Sequence, residues 1–391
     1  MFPVRSFALL LCGSGLLLTS CGGDARSART SERMVNLRTV KSGPAIQAAE
    51  LNGAIARKPR NAALYARRAA FEVEAGNQTE ALRDINRAIE LDDDAPGEYF
   101  LIKARALRGQ GRLQAAIEAA AQAQQRGYNP PELHLLLGET NLAARRFDLA
   151  VDYLDRVLRD NPENSSALFY KGLAYSALRD TAQALEFLRA SALRAPRQPE
   201  VLHQLAYLLN ASRQPQEAAL YIERGLKIDP AHASLWYDRG RVFDYAGQPD
   251  SAARHYARAA QLDSTLYRAD YRLGLYHYKA KRFRDAIRPL SRAKRRSQFL
   301  PDIGLMVADS HEQIGQNVPA WVAYRQLVRQ FPGNKHYTFK IWKIGGRIEP
   351  ILLDSLRQLY GAPPVPRRAP SSLRPSFEPL EAKEPTLLTP R

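Results

Sequence analysis

The residue types that usually carry catalysis are present in this sequence but do not fall into catalytic spacings. None of the seven histidines lies in an HExxH pair or at metal-ligand spacing from aspartate or glutamate. No GxSxG nucleophile motif and no phosphate-binding glycine loop occurs. Carboxylate runs such as Asp92 to Asp94 stand where a helix is expected to end, and turn chemistry explains them. We therefore predict a protein that is not an enzyme, with no catalytic residue, no metal and no cofactor.

The two cysteines, Cys12 and Cys21, both lie near the start of the chain. No disulfide framework or cysteine-ligated zinc site is therefore expected further along. Residues 1–20 combine one basic residue with an apolar stretch that ends at Leu18. This stretch is shorter than the roughly 20 residues of a membrane-spanning helix. The pattern is typical of a secretory signal peptide.

The four residues Leu18-Thr19-Ser20-Cys21 resemble a bacterial lipobox, in which an apolar residue and two small residues precede a cysteine. The resemblance implies cleavage before Cys21, a diacylglycerol on its sulfur and acylation of the new amino terminus. Each buried CH₂ contributes about 0.8 kcal/mol, so two or three acyl chains would hold the protein firmly on a membrane. The alternative is an ordinary secreted protein that is cut elsewhere, with Cys21 incidental.

The sequence as a whole is basic, with 57 Lys and Arg against 40 Asp and Glu and a formal net charge of +17. Such an excess attracts polyanions: lipid headgroups, cell-wall polymers, nucleic acid or acidic protein surfaces. Residues 21–44 are polar and basic without an apolar period, and we expect a flexible tether there. Residues 361–391 hold eight prolines, and we expect an extended, disordered tail.

Alanine recurs at an almost constant interval through the middle of the chain. The first interval is 35 residues and the six that follow are 34. A glycine or alanine stands twelve residues before each marker alanine, and a proline stands twelve residues after four of them. The markers are Ala81, Ala116, Ala150, Ala184, Ala218, Ala252, Ala286 and Ala320. The small residues before them are Ala69, Ala104, Gly138, Gly172, Ala206, Gly240, Gly274 and Ala308.

Each repeat carries two apolar stretches of helical period, which predicts a pair of antiparallel helices. The small residues at matching positions allow the two helices to approach closely. Glycines such as Gly76 and Gly247 fall where the first helix must turn into the second. The closing proline ends the second helix, because it has no N–H to donate.

This pattern resembles the tetratricopeptide repeat over residues 62 to about 333. Arg68 and Lys103, in the first two units, stand where the family usually has an apolar residue. The resemblance implies an all-α fold, a right-handed superhelical solenoid of about eight helical hairpins with helical caps. Unit six shows the family positions most fully, with Trp236, Gly240, Phe243, Ala252, Tyr256 and Ala259.

The register predicts the boundaries of the chain's segments. A signal peptide (1–20) and a lipidated, basic tether (21–44) come first. Capping helices are expected at 45–61 and 335–360, because an open repeat end would expose core. The proline-rich tail is 361–391. The eight units between the caps, in 62–334, are 62–95, 97–130, 131–164, 165–198, 199–232, 233–266, 267–300 and 301–334.

In the tetratricopeptide repeat family, the first helices of the units line a concave groove that binds peptides. When the family's groove positions are transferred to this chain, they hold aromatic residues, a histidine and an arginine. Tyrosine and arginine are enriched in binding hot spots. The alternative for each residue is packing inside the solenoid. The groove residues are Phe169, His203, Tyr207, Tyr237, Arg241, Tyr245, Tyr271 and Tyr278.

A second candidate surface is a basic run that is interrupted by a single acid, Asp285. This run could bind an anionic polymer or an acidic partner, and the alternative is a solvated helix face. Its members are Lys279, Lys281, Arg282, Arg284, Arg288, Arg292, Lys294, Arg295 and Arg296.

Together these features predict a membrane-anchored protein–protein interaction scaffold of the bacterial cell envelope. It is expected to bind a peptide or partner protein in its groove, in envelope assembly or secretion. We expect it on the outer membrane, facing the periplasm, where nucleic acid is not a partner. The alternative function is an adaptor that holds a cell-wall polymer or another anionic surface on the basic 279–296 face.

Overall fold

A computed structural model of the protein describes residues 44–297 and 300–363. Over these residues the chain forms nineteen helices and no strand. The predicted signal peptide, Cys21, the tether up to residue 43 and the tail from residue 364 lie outside the described residues. No helix within the two described ranges is both long enough and apolar enough to cross a membrane.

The helices are short, and all have nearly the same length. In chain order they are α1 (Pro44–Arg57), α2 (Ala62–Glu74), α3 (Gln78–Leu91), α4 (Gly97–Gly109), α5 (Leu113–Gln125), α6 (Pro131–Ala143), α7 (Phe147–Asp160), α8 (Ser165–Ala177), α9 (Thr181–Arg194), α10 (Pro199–Ala211), α11 (Pro215–Ile228), α12 (Ala233–Tyr245), α13 (Pro249–Leu262), α14 (Tyr267–Lys279), α15 (Phe283–Arg296), α16 (Pro301–Gln313), α17 (Asn317–Gln330), α18 (Lys335–Gly345) and α19 (Pro350–Tyr360).

The helices from α2 to α17 pack as eight consecutive hairpins, which confirms the predicted all-α solenoid. We call the even-numbered helices α2 to α16 the first helices and the odd-numbered helices α3 to α17 the second helices. Each first helix packs along the second helix that follows it, and each second helix packs against the first helix of the next hairpin. At the two ends, α1 packs on α2, while α18 and α19 pack on α17.

Every hairpin turn contains one residue with a positive φ. Backbone N–H groups just after the turn bond to the carbonyl five residues earlier, as from Asn77 to Glu72 (2.8 Å) and from Asp180 to Tyr175 (3.0 Å). This Schellman arrangement satisfies carbonyls at the helix end. Four turns have a non-glycine residue in a region that costs roughly 1–2 kcal/mol, so hairpin packing imposes the turn. The residues are Gly76, Gly111, Arg145, Arg179, Arg213, Gly247, Lys281 and Gly315, with φ between 57° and 82°.

The two helices of a hairpin approach most closely at the small residue of the first helix. All eight of these glycines and alanines are buried. A Cβ atom added at Gly172 would lie 2.7 Å from Cγ of Leu188, and one at Gly240 would lie 2.5 Å from the Tyr256 ring. The large side chain stands four residues after the marker alanine. The repeated small residue is therefore a steric requirement of helix pairing.

Proline or aspartate marks the ends of six of the eight second helices. Where a proline follows, the helix stops two residues before it, as α9 does at Arg194 before Pro196. In α3 and α13, which lack this proline, an aspartate directly follows the helix, whereas α5 and α15 have neither residue there. The Asp263 carboxylate accepts the backbone N–H of Thr265 at 2.7 Å, which is an Asx turn.

The first helices lie on the inner side of the solenoid. Neighbouring first helices contact each other directly, in the pairs α2–α4, α4–α6, α6–α8, α10–α12 and α14–α16. Neighbouring second helices show no contact of comparable extent within the described residues. A stack that is tighter along one row of helices must curve toward that row, so the first helices form the concave face.

The departure from the family pattern at Arg68 has a structural explanation. The guanidinium of Arg68 donates to both carboxylate oxygens of Asp84, with Nε at 2.6 Å and Nη2 at 2.8 Å. Asp84 is buried on the second helix of the same unit. An ion pair with this bidentate geometry satisfies both charges, so the first hairpin closes with a polar contact.

We predict that Gly172→Val lowers the free energy of unfolding by on the order of 1–3 kcal/mol, because the added atoms overlap Leu188. Chemical denaturation followed by circular dichroism would measure the change. The control is Gly333→Val, since no atom lies within 4 Å of a Cβ placed there. Adding Leu188→Ala to Gly172→Val should recover part of the loss. Equal effects of the two valine substitutions would contradict the packing explanation.

Candidate functional site

The eight predicted groove residues all lie on first helices, between α8 and α14. Phe169 is on α8, His203 and Tyr207 are on α10, and the other five are on α12 and α14. Their position on the concave side follows from the curvature of the stack. Their exposure differs widely, so the face is not uniformly available to a partner.

His203, Tyr207, Arg241 and Tyr245 form one continuous cluster across α10 and α12, which we call the inner patch. The rings of His203 and Tyr207 are 6.5 Å apart. The guanidinium of Arg241 lies over the Tyr207 ring at 5.6 Å, and its Nη2 lies 3.5 Å from the Tyr245 hydroxyl. The patch therefore combines aromatic rings, a hydroxyl, an imidazole and a cation.

A buried carboxylate holds His203 in place. Nδ1 of His203 lies 2.7 Å from Oδ2 of Asp238, whose side chain is 0% exposed. Beside it, the buried Asn210 amide donates to the backbone carbonyl of Asp238 at 3.1 Å. A hydrogen bond to a buried carboxylate fixes orientation more firmly than a surface contact does. The inner patch is therefore joined across two units by a buried polar contact.

His232 lies at the edge of this cluster and caps α12. Its Nδ1 accepts the backbone N–H of Leu235 at 3.3 Å, and its ring lies 5.6 Å from that of His203. Burial, together with the nearby His203, lowers the pKa of His232. A neutral imidazole keeps the lone pair that the cap requires.

Two predicted groove residues, Tyr237 and Arg241, are buried, which favours the alternative of packing inside the solenoid for them. Tyr237 is 4% exposed and packs on the ring of Tyr256, with ring centroids 5.5 Å apart. Arg241 is 6% exposed, because Tyr207 covers its guanidinium. Tyr245, one turn beyond Arg241, is 46% exposed and provides the most accessible ring of the patch. The groove surface here is formed by His203, Tyr207 and Tyr245.

The three remaining groove residues are half-buried and contribute to packing. Phe169 lies against the apolar cores on both sides of α8. Tyr271 and Tyr278 pack on the core between α14 and α16. The Tyr278 hydroxyl donates to Asp309 at 3.1 Å, and burial, with the nearby Asp309 carboxylate, raises the pKa of Tyr278. These side chains pack between neighbouring helices and are only partly exposed.

The basic run lies at the end of α14, in the following turn and along α15. Seven of its nine members are exposed: Lys279, Lys281, Arg282, Arg284, Arg288, Arg295 and Arg296. Arg284, Arg288 and Arg295 stand at i, i+4 and i+11, so they share one side of α15. No ion pair joins any of these three to a carboxylate within residues 44–297 and 300–363. They form a cationic ridge on a second helix.

The other two basic residues, Arg292 and Lys294, are half-buried and have partners within the solenoid. Arg292 is half-buried, and its Nε lies 3.0 Å from each carboxylate oxygen of Asp270, which is 1% exposed. The pair joins α15 to α14 within one hairpin. Lys294 is half-buried and donates to the Gln326 side chain of α17 at 3.1 Å.

Sequence reasoning did not identify Asp238, Asn210 or His232 as parts of the site. Asp238 directly follows Tyr237, and an aspartate on an amphipathic helix is ordinarily assigned to solvent. Its burial depends on the neighbouring α10, which the pattern of a single unit does not reveal. In the described part of the chain, no group of three or more His, Cys, Asp or Glu side chains is placed to hold a metal ion.

We predict that His203 and Asp238 are energetically coupled by on the order of 1–3 kcal/mol in a double-mutant cycle of His203→Phe and Asp238→Ala at pH 7. The reason is that His203→Phe leaves the buried Asp238 carboxylate without its partner, and Asp238→Ala leaves the half-buried His203 imidazole without its partner. Chemical denaturation of the four proteins would measure the coupling. The control is the exposed pair of Arg87 and Glu90 (3.1 Å), which should couple by less than about 1 kcal/mol. Equal coupling in both pairs would contradict a buried polar contact.

Comparison with solved structures relates the helical stack to known folds. A Cut9–Hcn1 hetero-tetramer of the APC/C matches with a TM-score of 0.50 at 14% identity, over 73% of this chain and 56% of that chain. PilF of Pseudomonas aeruginosa matches with a TM-score of 0.48 at 15% identity, over 56% and 97% of the two chains. A tetratricopeptide repeat protein of Parabacteroides merdae gives 0.46 at 14% identity, over 63% and 98%. No curated protein sequence matches significantly.

Comparison with family models identifies the repeats themselves. One tetratricopeptide repeat model matches residues 101–158, 135–199 and 237–301, and a second matches residues 199–242. Together the matches run without a gap from residue 101 to residue 301, which is just over half of the 391 residues. They include α10 and α12, which carry the inner patch. The chain belongs to the tetratricopeptide repeat family.

Proposed function

We propose that this chain is a membrane-anchored scaffold that binds a peptide or an extended segment of a partner protein on its concave face, centred on the inner patch. Its tetratricopeptide repeat fold is that of a protein–protein interaction scaffold. One observation supports the inner patch as the binding site: Tyr245 is exposed beside the half-buried His203 and Tyr207. These residues lie on α10 and α12, which the buried Asp238 carboxylate joins through its contact with His203.

The chemistry of the inner patch suits recognition of a protein segment. Tyr207 and Tyr245 offer large rings at a low entropic cost, and tyrosine is enriched in binding hot spots. The His203 contact with Asp238 and the Arg241 contact with Tyr207 reduce the ordering that binding would require. A partner segment that matches these groups would place an apolar or aromatic side chain on the tyrosine rings. On either side of that side chain, its backbone carbonyls or carboxylates would accept hydrogen bonds from the inner patch.

The proposed location rests on the sequence before residue 22. A signal-peptide pattern followed by Leu18-Thr19-Ser20-Cys21 supports lipidation at Cys21 and attachment to a bacterial membrane, with the outer membrane facing the periplasm as the proposed site. The basic tether would then separate the repeats from the lipid surface. In this setting the scaffold would serve envelope assembly or secretion.

The alternative function uses the cationic ridge of α15. Arg284, Arg288 and Arg295 share one exposed side of the helix and lack a carboxylate partner among the described residues. They support binding of a cell-wall polymer or another anionic surface. Such binding would weaken with salt, because exposed charges are screened within about 10 Å at 0.1 M.

We predict that Tyr245→Ala weakens capture of the partner by about tenfold or more, the range expected for a hot-spot residue. Affinity capture of the tagged protein from cross-linked cells, with quantitative mass spectrometry, would measure it. The control is Leu220→Ala on the second helix α11, a large side chain that is 70% exposed. Both variants should keep the wild-type thermal unfolding midpoint within a few degrees. Equal capture by both variants would rule out the inner patch as the binding site.

We predict that Cys21→Ser moves the protein from the membrane fraction to the soluble fraction of the producing bacteria, because no other lipid attachment is expected. Fractionation and incorporation of labelled palmitate would measure the change. The control is Ser20→Ala, which keeps a small residue before the cysteine and should leave both readouts unchanged. Membrane association of the Cys21→Ser protein equal to that of the wild type would contradict the anchor.

A further inference from the structure

An open groove of about 590 Å³ lies on the outer side of the solenoid, between α15 and α17. We call it the outer groove. Val307, Val318, Val322 and Ala323 supply its apolar lining, and Lys294 and Arg295 of α15 stand on one side. Its surface differs chemically from that of the inner patch, because an apolar lining lies beside two cationic side chains. A ligand for this groove must satisfy both properties.

The two helices beside the outer groove are strongly unbalanced in charge. Helix α15 carries six basic residues and one acidic residue, and α17 carries two basic residues and no acidic residue. The Lys294 ammonium is half-buried and donates to a neutral amide, that of Gln326. Burial lowers the pKa of Lys294. An ammonium in this position would gain a charge-assisted hydrogen bond from an incoming carboxylate.

One segment of this chain carries carboxylates and apolar side chains in alternation. Residues 377–388 read Phe-Glu-Pro-Leu-Glu-Ala-Lys-Glu-Pro-Thr-Leu-Leu. They contain three glutamates, Glu378, Glu381 and Glu384, with leucines between and after them. The segment before residue 44 has only two acidic residues, Asp24 and Glu32, and each has an arginine within two residues after it. The tail therefore complements the outer groove better than the N-terminal segment does.

The same helix that borders the groove also holds the start of the tail. Arg325 donates to the backbone carbonyls of residues 360, 361 and 362 at 3.0–3.2 Å, and Arg329 donates to that of Tyr360 at 2.6 Å. From Pro363 to Leu380 the chain can span up to about 56 Å, whereas α17 is about 21 Å long. The tail can therefore reach the groove within one molecule, at an effective concentration of about millimolar.

We propose that residues 377–388 bind in the outer groove of the same chain, with their glutamates beside Lys294 and Arg295 and their leucines on the valine lining. A polysaccharide would leave the apolar lining uncovered, and a flat bilayer surface would not enter a groove. Bound in this way, the tail covers part of the cationic ridge and competes with any acidic ligand for it. This inference does not depend on the function proposed for the inner patch.

The test is carbodiimide coupling of the full-length protein, which joins an amine to a carboxylate only when the two are in contact. Peptide mass mapping should find an amide bond between Lys294 and a glutamate of residues 378–384. The bond should be absent in Lys294→Arg, which keeps the charge but couples poorly. A mixture of ¹⁵N-labelled and unlabelled chains shows whether the bond lies within one molecule. No bond to the tail, or bonds only between two molecules, would overturn the proposal.

A second measurement uses the full chain with the three substitutions Glu378→Gln, Glu381→Gln and Glu384→Gln. A fluorescent peptide of residues 374–391 should bind this variant at least tenfold more tightly than the wild type, because the weakened tail no longer competes. Adding Arg295→Glu to the variant should remove that binding, and a peptide with glutamine at the three positions should bind neither protein. Equal binding of the acidic peptide to the variant and the wild type would count against the tail as the occupant.

Discussion

The structure depends on one steric contact, the approach of the two helices of each hairpin at a glycine or alanine. At Gly138, Gly172 and Gly274 the facing side chain is a leucine of the second helix, and at Gly240 it is Tyr256. With a larger residue there, the two helices would separate and the apolar surfaces would no longer close. Repetition of this contact at intervals of 34 or 35 residues produces similar hairpins. Similar hairpins stack with a similar offset, and the offset gives the chain a concave and an outer face.

The two faces differ in what they can bind. The inner patch joins tyrosines, a histidine and an arginine over a buried aspartate, so it offers a shaped surface with directional hydrogen-bonding groups. The outer face near α15 offers cations beside an apolar groove. A shaped patch suits one partner segment, whereas a cationic edge suits any ligand with suitably placed acids. The two proposals, partner binding at the inner patch and tail binding in the outer groove, therefore use separate faces of the solenoid.

The fold could be predicted from the sequence because the repeat shows as a regular spacing of small residues along the chain. The alanine register and the glycine and alanine partners predicted the hairpins. The turns at Arg145, Arg179, Arg213 and Lys281 adopt the glycine-like conformation without glycine, because the hairpin contacts impose it. Side-chain exposure in the candidate site was harder to predict. Arg241 and Asp238 contact side chains of the preceding hairpin, Tyr237 packs on Tyr256 of the next helix, and Arg292 pairs with Asp270 of the preceding helix. A pattern within one unit cannot show contacts that the next helix provides.

The central claim is that a partner protein occupies the concave face at the inner patch. Site-specific photo-cross-linking in living cells tests it most directly, with the photoreactive residue placed at position 245 in one protein and at position 220 in another. Both positions are exposed, one on a first helix and the other on a second helix. We expect a discrete protein adduct from position 245 and none from position 220. Adducts from position 220 alone, or the same adducts from both positions, would contradict the account.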